Sequence, residues 1–150
     1  MPGATSDQRL GLEDRVFLDS ARRAHLATAS ADGRPHVVPV CFALLDDATV
    51  VFAIDEKPKP RGRALRRLRN LSENDRFSLL VDRWDEDWSR LAFLMIEGRG
   101  ALSEDAARSA AAIDALRARY PQYVRMGLIV GRHPVVELAI ERVHRWGPLA

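Results

Sequence analysis

Residues 57–70, KPKPRGRALRRLRN, hold seven positive side chains and no negative one. Guanidinium and ammonium groups bind phosphates and carboxylates through charge-assisted hydrogen bonds, so a run of this kind is equipped to hold an anion. The whole chain carries a formal net charge of only +2, so the excess is local and everything outside the run is net acidic. Lys57 and Lys59 are the only lysines; every other basic residue is arginine. Three readings stay open for the run: a solvated helix face, a nucleic-acid contact, or a clamp on a phosphorylated cofactor. The residues between the charges are Pro, Gly, Ala and Leu, which supply no aromatic platform for stacking bases.

Other chemistry-bearing patterns are missing. The sequence has no GxGxxG, GxxxxGK[ST], HExxH or CxxC. Its four histidines, His25, His36, His133 and His144, lack ligand spacing, so no metal site is expected. Asp85, Glu86 and Asp87 form an acidic cluster that a solvated loop explains. Cys41 is the single cysteine; it excludes an internal disulfide, fits a reducing cytoplasm and, within the apolar run VPVCFALL, reads as a buried inert thiol. With no nucleophile, base or metal set in view, any chemistry is expected to come from a borrowed cofactor.

The elements that must position the run follow from periodicity. The 150 residues, 47% hydrophobic, suffice for one core, with no apolar stretch long enough to span a membrane. Residues 1–11 read as a mobile lead-in and 12–150 as one domain. Leu12, Val16, Phe17, Ser20 and Ala24 share the spacing of one helical face. HLATAS, the Asp-Gly of ADGR and PHVVPVCFALL read as strand, turn and strand, and ATVVFAID as a third strand after Asp46 and Asp47. Prolines and a glycine keep KPKPRG out of a helix, whereas RALRRLRNLSEN places Leu65, Leu68 and Leu71 on one side. RFSLLVDRW, LAFLMIEGRGALS and VVELAIERVHRW complete six strands. SEDAARSAAAIDALRARY is a helix with Ser103 as expected N-cap. The expected fold is α+β: a six-stranded antiparallel barrel with three peripheral helices.

The ordered series ATASADGRPHVVPVCF, VVFAID, KPK with LRRLRNLSENDRFSLLVD, IEGRGAL and AIERVHRW resembles the pyridoxamine 5′-phosphate oxidase-like split barrels that bind flavins. More narrowly it resembles their branch using the deazaflavin coenzyme F-420, and DRWDEDWSRL and RARYPQY resemble one subfamily of that branch. The resemblance runs from about Ala24 to Trp146. It implies a homodimer with two cofactor sites at the subunit interface, a small-molecule substrate, and neither nucleic acid nor membrane as partner. It implies that Val38, Pro39 and Val40 face the ring system and that Ala53, Ile54 and Asp55 line the cofactor. Arg67, three before Asn70, falls where the family carries a phosphate-binding basic residue, and Lys57 and Lys59 match the subfamily's KPK. Leu65 stands where a second basic residue often sits, so Arg63 or Arg66 is expected to substitute. Trp88 and Arg90 are candidates for the substrate side.

Charge bears on which cofactor. The phosphate of FMN carries at most about two negative charges, which two or three basic residues satisfy. Seven positive charges suit the phosphodiester and oligoglutamate tail of F-420 better. The function expected is therefore hydride transfer from reduced F-420 to an unsaturated organic substrate. An FMN-dependent oxidase or reductase on the same barrel, or a non-enzymatic flavin or deazaflavin carrier, are the alternatives.

Overall fold

The Asp-Gly turn is where the chain first folds back on itself. In the computed structural model, which describes residues 8–55 and 66–150, β1 (Ala24–Ala29) and β2 (Pro35–Val40) form an antiparallel hairpin. Gly33 takes φ +85°, a left-handed conformation that glycine adopts without steric cost, and its N–H donates to the Ser30 carbonyl. β3 (Ala43–Asp46) and β4 (Thr49–Ala53) form a second hairpin across Asp47. After α2 (Arg66–Glu73) come β5 (Arg76–Arg83) and the long β6 (Ala92–Leu102). α3 (Ala106–Arg119) and α4 (Pro121–Met126) precede the closing strand β7 (Val135–Trp146). No helix among the described residues is long and apolar enough to cross a membrane.

Among the described residues seven strands join one antiparallel sheet in the order β2-β1-β5-β6-β7-β4-β3. The run PHVVPVCFALL, expected as a single strand, is thus two strands on opposite edges, and six strands become seven. Pro39 lacks a ladder donor. The Phe42 N–H leaves the sheet altogether and donates to the Tyr120 hydroxyl at 3.1 Å, while its ring sinks into the core. Val40 and Ala43 lie three residues apart, a span of at most about 11 Å. The two edges therefore approach each other there, and the sheet curls around its core. No ladder joins β2 to β3 among the described residues.

The curl encloses one cluster, including Leu26, Phe42, Phe52, Leu79, Leu94 and Leu138. A second lies on the outer face of β3 and β4, where Val51 and Ala53 meet Ile113, Leu116, Tyr120 and Tyr123. β4 is buried along its whole length because both of its faces are covered.

The helices depart from expectation in informative ways. α1 (Leu12–Ser20) buries Asp14, Phe17 and Leu18, while Leu12 and Val16 are exposed and Ala24 belongs to β1. The helix is turned by Asp14, whose two carboxylate oxygens accept from Arg145 at 2.6 Å each. Leu10, expected in the lead-in, is buried and donates its N–H to the Asp47 carbonyl at 2.7 Å. The N-cap of α3 is Asp105, accepting from the Arg108 N–H, and not Ser103, whose own N–H is still bonded to Val135 of β7. A fourth helix begins at Pro121, after Tyr120 in extended backbone, because proline suits a first helical turn but cannot continue the previous helix.

Candidate functional site

Helix α2 sits against β1 and β6, anchored by Leu71 and by Leu68 packed on the core. Asn70 is buried and donates to the Thr28 hydroxyl at 3.1 Å, which fixes the helix to β1. Successive helical residues point about 100° apart, so neighbouring arginines serve different places. Arg66 and Arg69 face a polar cleft of about 380 Å³ shared with Ser30, Asp32, Arg34 and Glu73. Arg69 is engaged by Glu73 at 3.3 Å.

Arg67 faces the other way. It lines a small cavity, about 50 Å³, with Pro39, Cys41, Phe52, Asp55 and Tyr123 among the other walls. Its guanidinium carbon lies 5.7 Å from the centre of the Phe52 ring, within cation–π range. Its Nε is buried without a hydrogen-bond partner among the described residues. A buried donor left unpaired is costly, of order 1–3 kcal/mol, so this nitrogen is suited to an incoming acceptor.

The opposite wall is hydrogen-bonded. Tyr123, 4% exposed, donates its hydroxyl to Asp55 Oδ2 at 3.2 Å. Burial, then the adjoining Cys41 thiol and Asp55 carboxylate, hold the Tyr123 phenol well above its ordinary range, so it stays a donor. His36 stands on β2 with its Nδ1 buried and without a partner among the described residues. Burial, then the charges of Arg66 and Arg67, lower its pKa below the usual 6.5.

The structure thus gathers Pro39, Val40, Ala53, Asp55 and Arg67 of the expected site around one cavity. Val38 is half-buried against the core, and Ile54 is buried in it. Lys57, Lys59 and Arg63 lie outside the described residues. Trp88 and Arg90 stand on a 3-10 turn between β5 and β6, and neither is among the described lining residues. Trp88 is exposed, and Arg90 pairs with Asp85 at 3.4 Å. The acidic cluster beside them is occupied within its own turn: Asp87 accepts from Ser89, and Glu86 from the Trp84 indole. No group of three His, Cys, Asp or Glu able to hold a metal occurs among the described residues.

Sequence reasoning missed Phe52 and Tyr123, and placed Cys41 as a buried thiol when it is half-buried on the cavity wall. Phe52 sits beside residues already singled out on β4. Tyr123 belongs to the quoted RARYPQY, but its meeting with Asp55 spans 68 positions of sequence.

The architecture is thus a curled seven-stranded antiparallel sheet with the basic helix α2 packed on it and a small cavity beside Arg67. The pyridoxamine 5′-phosphate oxidase family profile matches residues 12–147, and the chain belongs to that family. It shares its fold with a conserved hypothetical protein of Mycobacterium tuberculosis (20% identity, TM-score 0.74, covering 97% of this chain and 89% of that one). It likewise resembles the heme storage protein HutZ of Vibrio cholerae (19%, 0.70, covering 93% and 97%). A FAD-binding protein of Mesorhizobium loti is a further likeness (22%, 0.68, covering 95% and 96%). No curated protein matches the chain.

Proposed function

We propose that residues 12–150 form one split-barrel domain holding a flavin-type cofactor, with Arg67 as the grip on its phosphate, and that the protein is a cytoplasmic oxidoreductase. The observation that carries this reading is the buried Arg67 Nε, without a partner among the described residues, at a cavity; the sequence resemblance puts the family's phosphate-binding basic residue at this position. The cavity fits a compact anionic group. At about 50 Å³ it is far below the roughly 300–1,000 Å³ of a pocket for a whole organic ligand, so the ring must lie beyond its described walls.

Among cofactors we favour F-420, because the seven charges of residues 57–70 match a long polyanionic tail better than a single phosphate. Bound in this site, reduced F-420 would supply hydride to an unsaturated organic substrate. The protein's own contribution is to fix the anionic end with Arg67, to support it with Arg66, Lys57, Lys59 and Arg63, and to keep one ring face covered by β2. An FMN-dependent oxidase or reductase would use the same grip. A non-enzymatic carrier is supported by the fold shared with proteins described as heme-storing and FAD-binding. We further propose a homodimer that completes each site, with nucleic acid excluded as a partner.

The test is a spectrum of the purified protein followed by titration with F-420, FMN and heme. Micromolar F-420 binding that depends on Arg67 supports the reading. A yellow protein retaining FMN selects the oxidase. Heme binding indifferent to Arg67, with no flavin or deazaflavin binding, overturns it.

A further inference from the structure

The cleft of about 380 Å³ between the β1–β2 turn and α2 has room for a small organic ligand, which the cavity at Arg67 has not. Both of its walls are fixed. The turn closes on itself, the Ser30 N–H donating to the Arg34 carbonyl and the Arg34 N–H to the Ser30 hydroxyl, each at 3.1 Å. On the other wall Asn70 ties α2 to β1. Glu73 joins the two walls: one carboxylate oxygen accepts from the Arg69 guanidinium and the other from the Ala31 N–H, each at 3.3 Å. The cleft thus already holds one carboxylate, the chain's own.

Positive charge is left over around it. Glu73 is engaged by Arg69, and Asp32, the other acid of the cleft, accepts from the Ser30 hydroxyl. Arg34 and Arg66, by contrast, pair with no carboxylate among the described residues, and both are exposed, so neither serves packing. We propose that this cleft is a second anion site, taking a flexible organic polycarboxylate on Arg34 and Arg66, with Glu73 moderating its affinity. The site goes beyond the Arg67 grip and does not depend on it. A guanidinium fork donates two parallel hydrogen bonds to one carboxylate, so two forks on separate elements favour a ligand with at least two such groups. Such a ligand could be a free polycarboxylate or the oligoglutamate tail of a cofactor gripped at Arg67. The second source is within reach: after burial, it is the charges of both Arg66 and Arg67 that lower the His36 pKa, so the two openings are neighbours.

The probe is N-acetyl-triglutamate, followed by calorimetry at low salt. Arg34→Ala and Arg66→Ala should each weaken its binding about tenfold, and the exposed positions make both variants safe to fold. Arg67→Ala should change it by no more than about twofold, as should Arg142→Ala, an exposed arginine of β7 that does not line the cleft. Glu73→Gln keeps an acceptor for the Ala31 N–H, frees Arg69 and removes a repelling charge, so it should tighten binding about threefold. N-acetyl-triglutamine, of the same length, should not bind. Absence of binding to the wild-type protein overturns the site, and so does a loss on Arg142→Ala equal to that on Arg34→Ala, which would mean diffuse attraction. A loss on Arg67→Ala with none on Arg34→Ala, or a Glu73→Gln variant that does not bind more tightly, overturns it too. F-420 that displaces the probe and is itself weakened by Arg34→Ala assigns the cleft to the cofactor's tail; F-420 that does neither, with the probe still bound, assigns it to a free polycarboxylate. Protein that holds the probe on Arg34 and Arg66 but takes neither F-420 nor FMN overturns the cofactor reading and leaves the cleft standing.

Discussion

Arg67 is held with its guanidinium 5.7 Å from the centre of the Phe52 ring while its buried Nε has no hydrogen-bond partner among the described residues. The ring contact fixes where the charge sits without supplying an acceptor. Arg67→Ala should therefore weaken F-420 and FMN binding by about 2–3 kcal/mol, near a hundredfold, and Arg67→Lys should recover only part of it. The loss should persist at about 0.5 M salt, where screening reaches within a few Å. Lys57→Ala and Lys59→Ala should each cost F-420 less, about 0.5–1 kcal/mol, and only at low salt. Fluorescence titration across a salt series separates the two sets. Equal, salt-sensitive losses at all seven basic positions would instead indicate a nucleic-acid surface.

His36 offers a reporter that needs no substrate. Burial and two nearby guanidinium charges lower its pKa from the usual 6.5. A bound anion that offsets Arg67 should move that pKa back up, so anion binding should take up protons and tighten as pH falls through 6.5. The sign for stability is the reverse. The folded protein binds this proton less readily than the unfolded chain, so the His36 contribution is intact above 6.5 and is lost as pH falls below it. NMR titration of the imidazole with and without phosphate checks both; a pKa that ignores phosphate removes His36 from the site.

Asp14 and Arg145 test the fold apart from the site. The carboxylate is 2% exposed and accepts twice from the guanidinium, tying α1 to β7. Removing one partner leaves a buried charge, so Arg145→Met should cost about 3–5 kcal/mol and lower Tm by roughly 10 °C. Asp14→Leu combined with Arg145→Met should be less destabilised than Arg145→Met alone. A double variant that loses the sum of both single effects would mean the two residues act independently.

What the sequence disclosed was local. The Asp-Gly turn, the alternation of Val136, Leu138 and Ile140 along β7, and the helix that carries Arg66, Arg67 and Arg69 are written in neighbouring residues, and the structure has all three. What it withheld depends on distant contacts. PHVVPVCFALL looks continuous because nothing nearby reveals that the Phe42 N–H will find Tyr120, 78 positions away. The helical spacing of Leu12 and Val16 is real, yet a buried ion pair 131 positions long chose another face. Gly98 reads as an ordinary strand residue, although a Cβ there would lie 1.8 Å from the Ala139 carbonyl oxygen. Arg67 and Asp55 were legible through resemblance; the meeting of Tyr123 with Asp55 was legible only in three dimensions.

The outward face of the sheet carries the last prediction. Leu80 on β5 lies beside Met95 on β6, and Phe93 stacks on Trp146 of β7 with ring centres 5.8 Å apart. Leu80 and Trp146 are exposed, and Val37 of the edge strand β2 is 64% exposed. These side chains form an apolar patch over three strands, with His144 in register with Met95 and Asp82 with Phe93; such a patch is the kind of surface a second copy covers, and two-fold pairing would bring each face against its equivalent. The protein should sediment as a dimer of the 16.8 kDa chain at micromolar concentration. Leu80→Asp and Trp146→Asp should each shift it toward monomer while leaving the inner core, which neither side chain enters, folded by circular dichroism. If the cofactor site is shared between subunits, F-420 affinity should fall in step with the dimer fraction even though Arg67 is untouched. A folded monomeric variant that binds F-420 as tightly as the dimer would place the whole site within one chain.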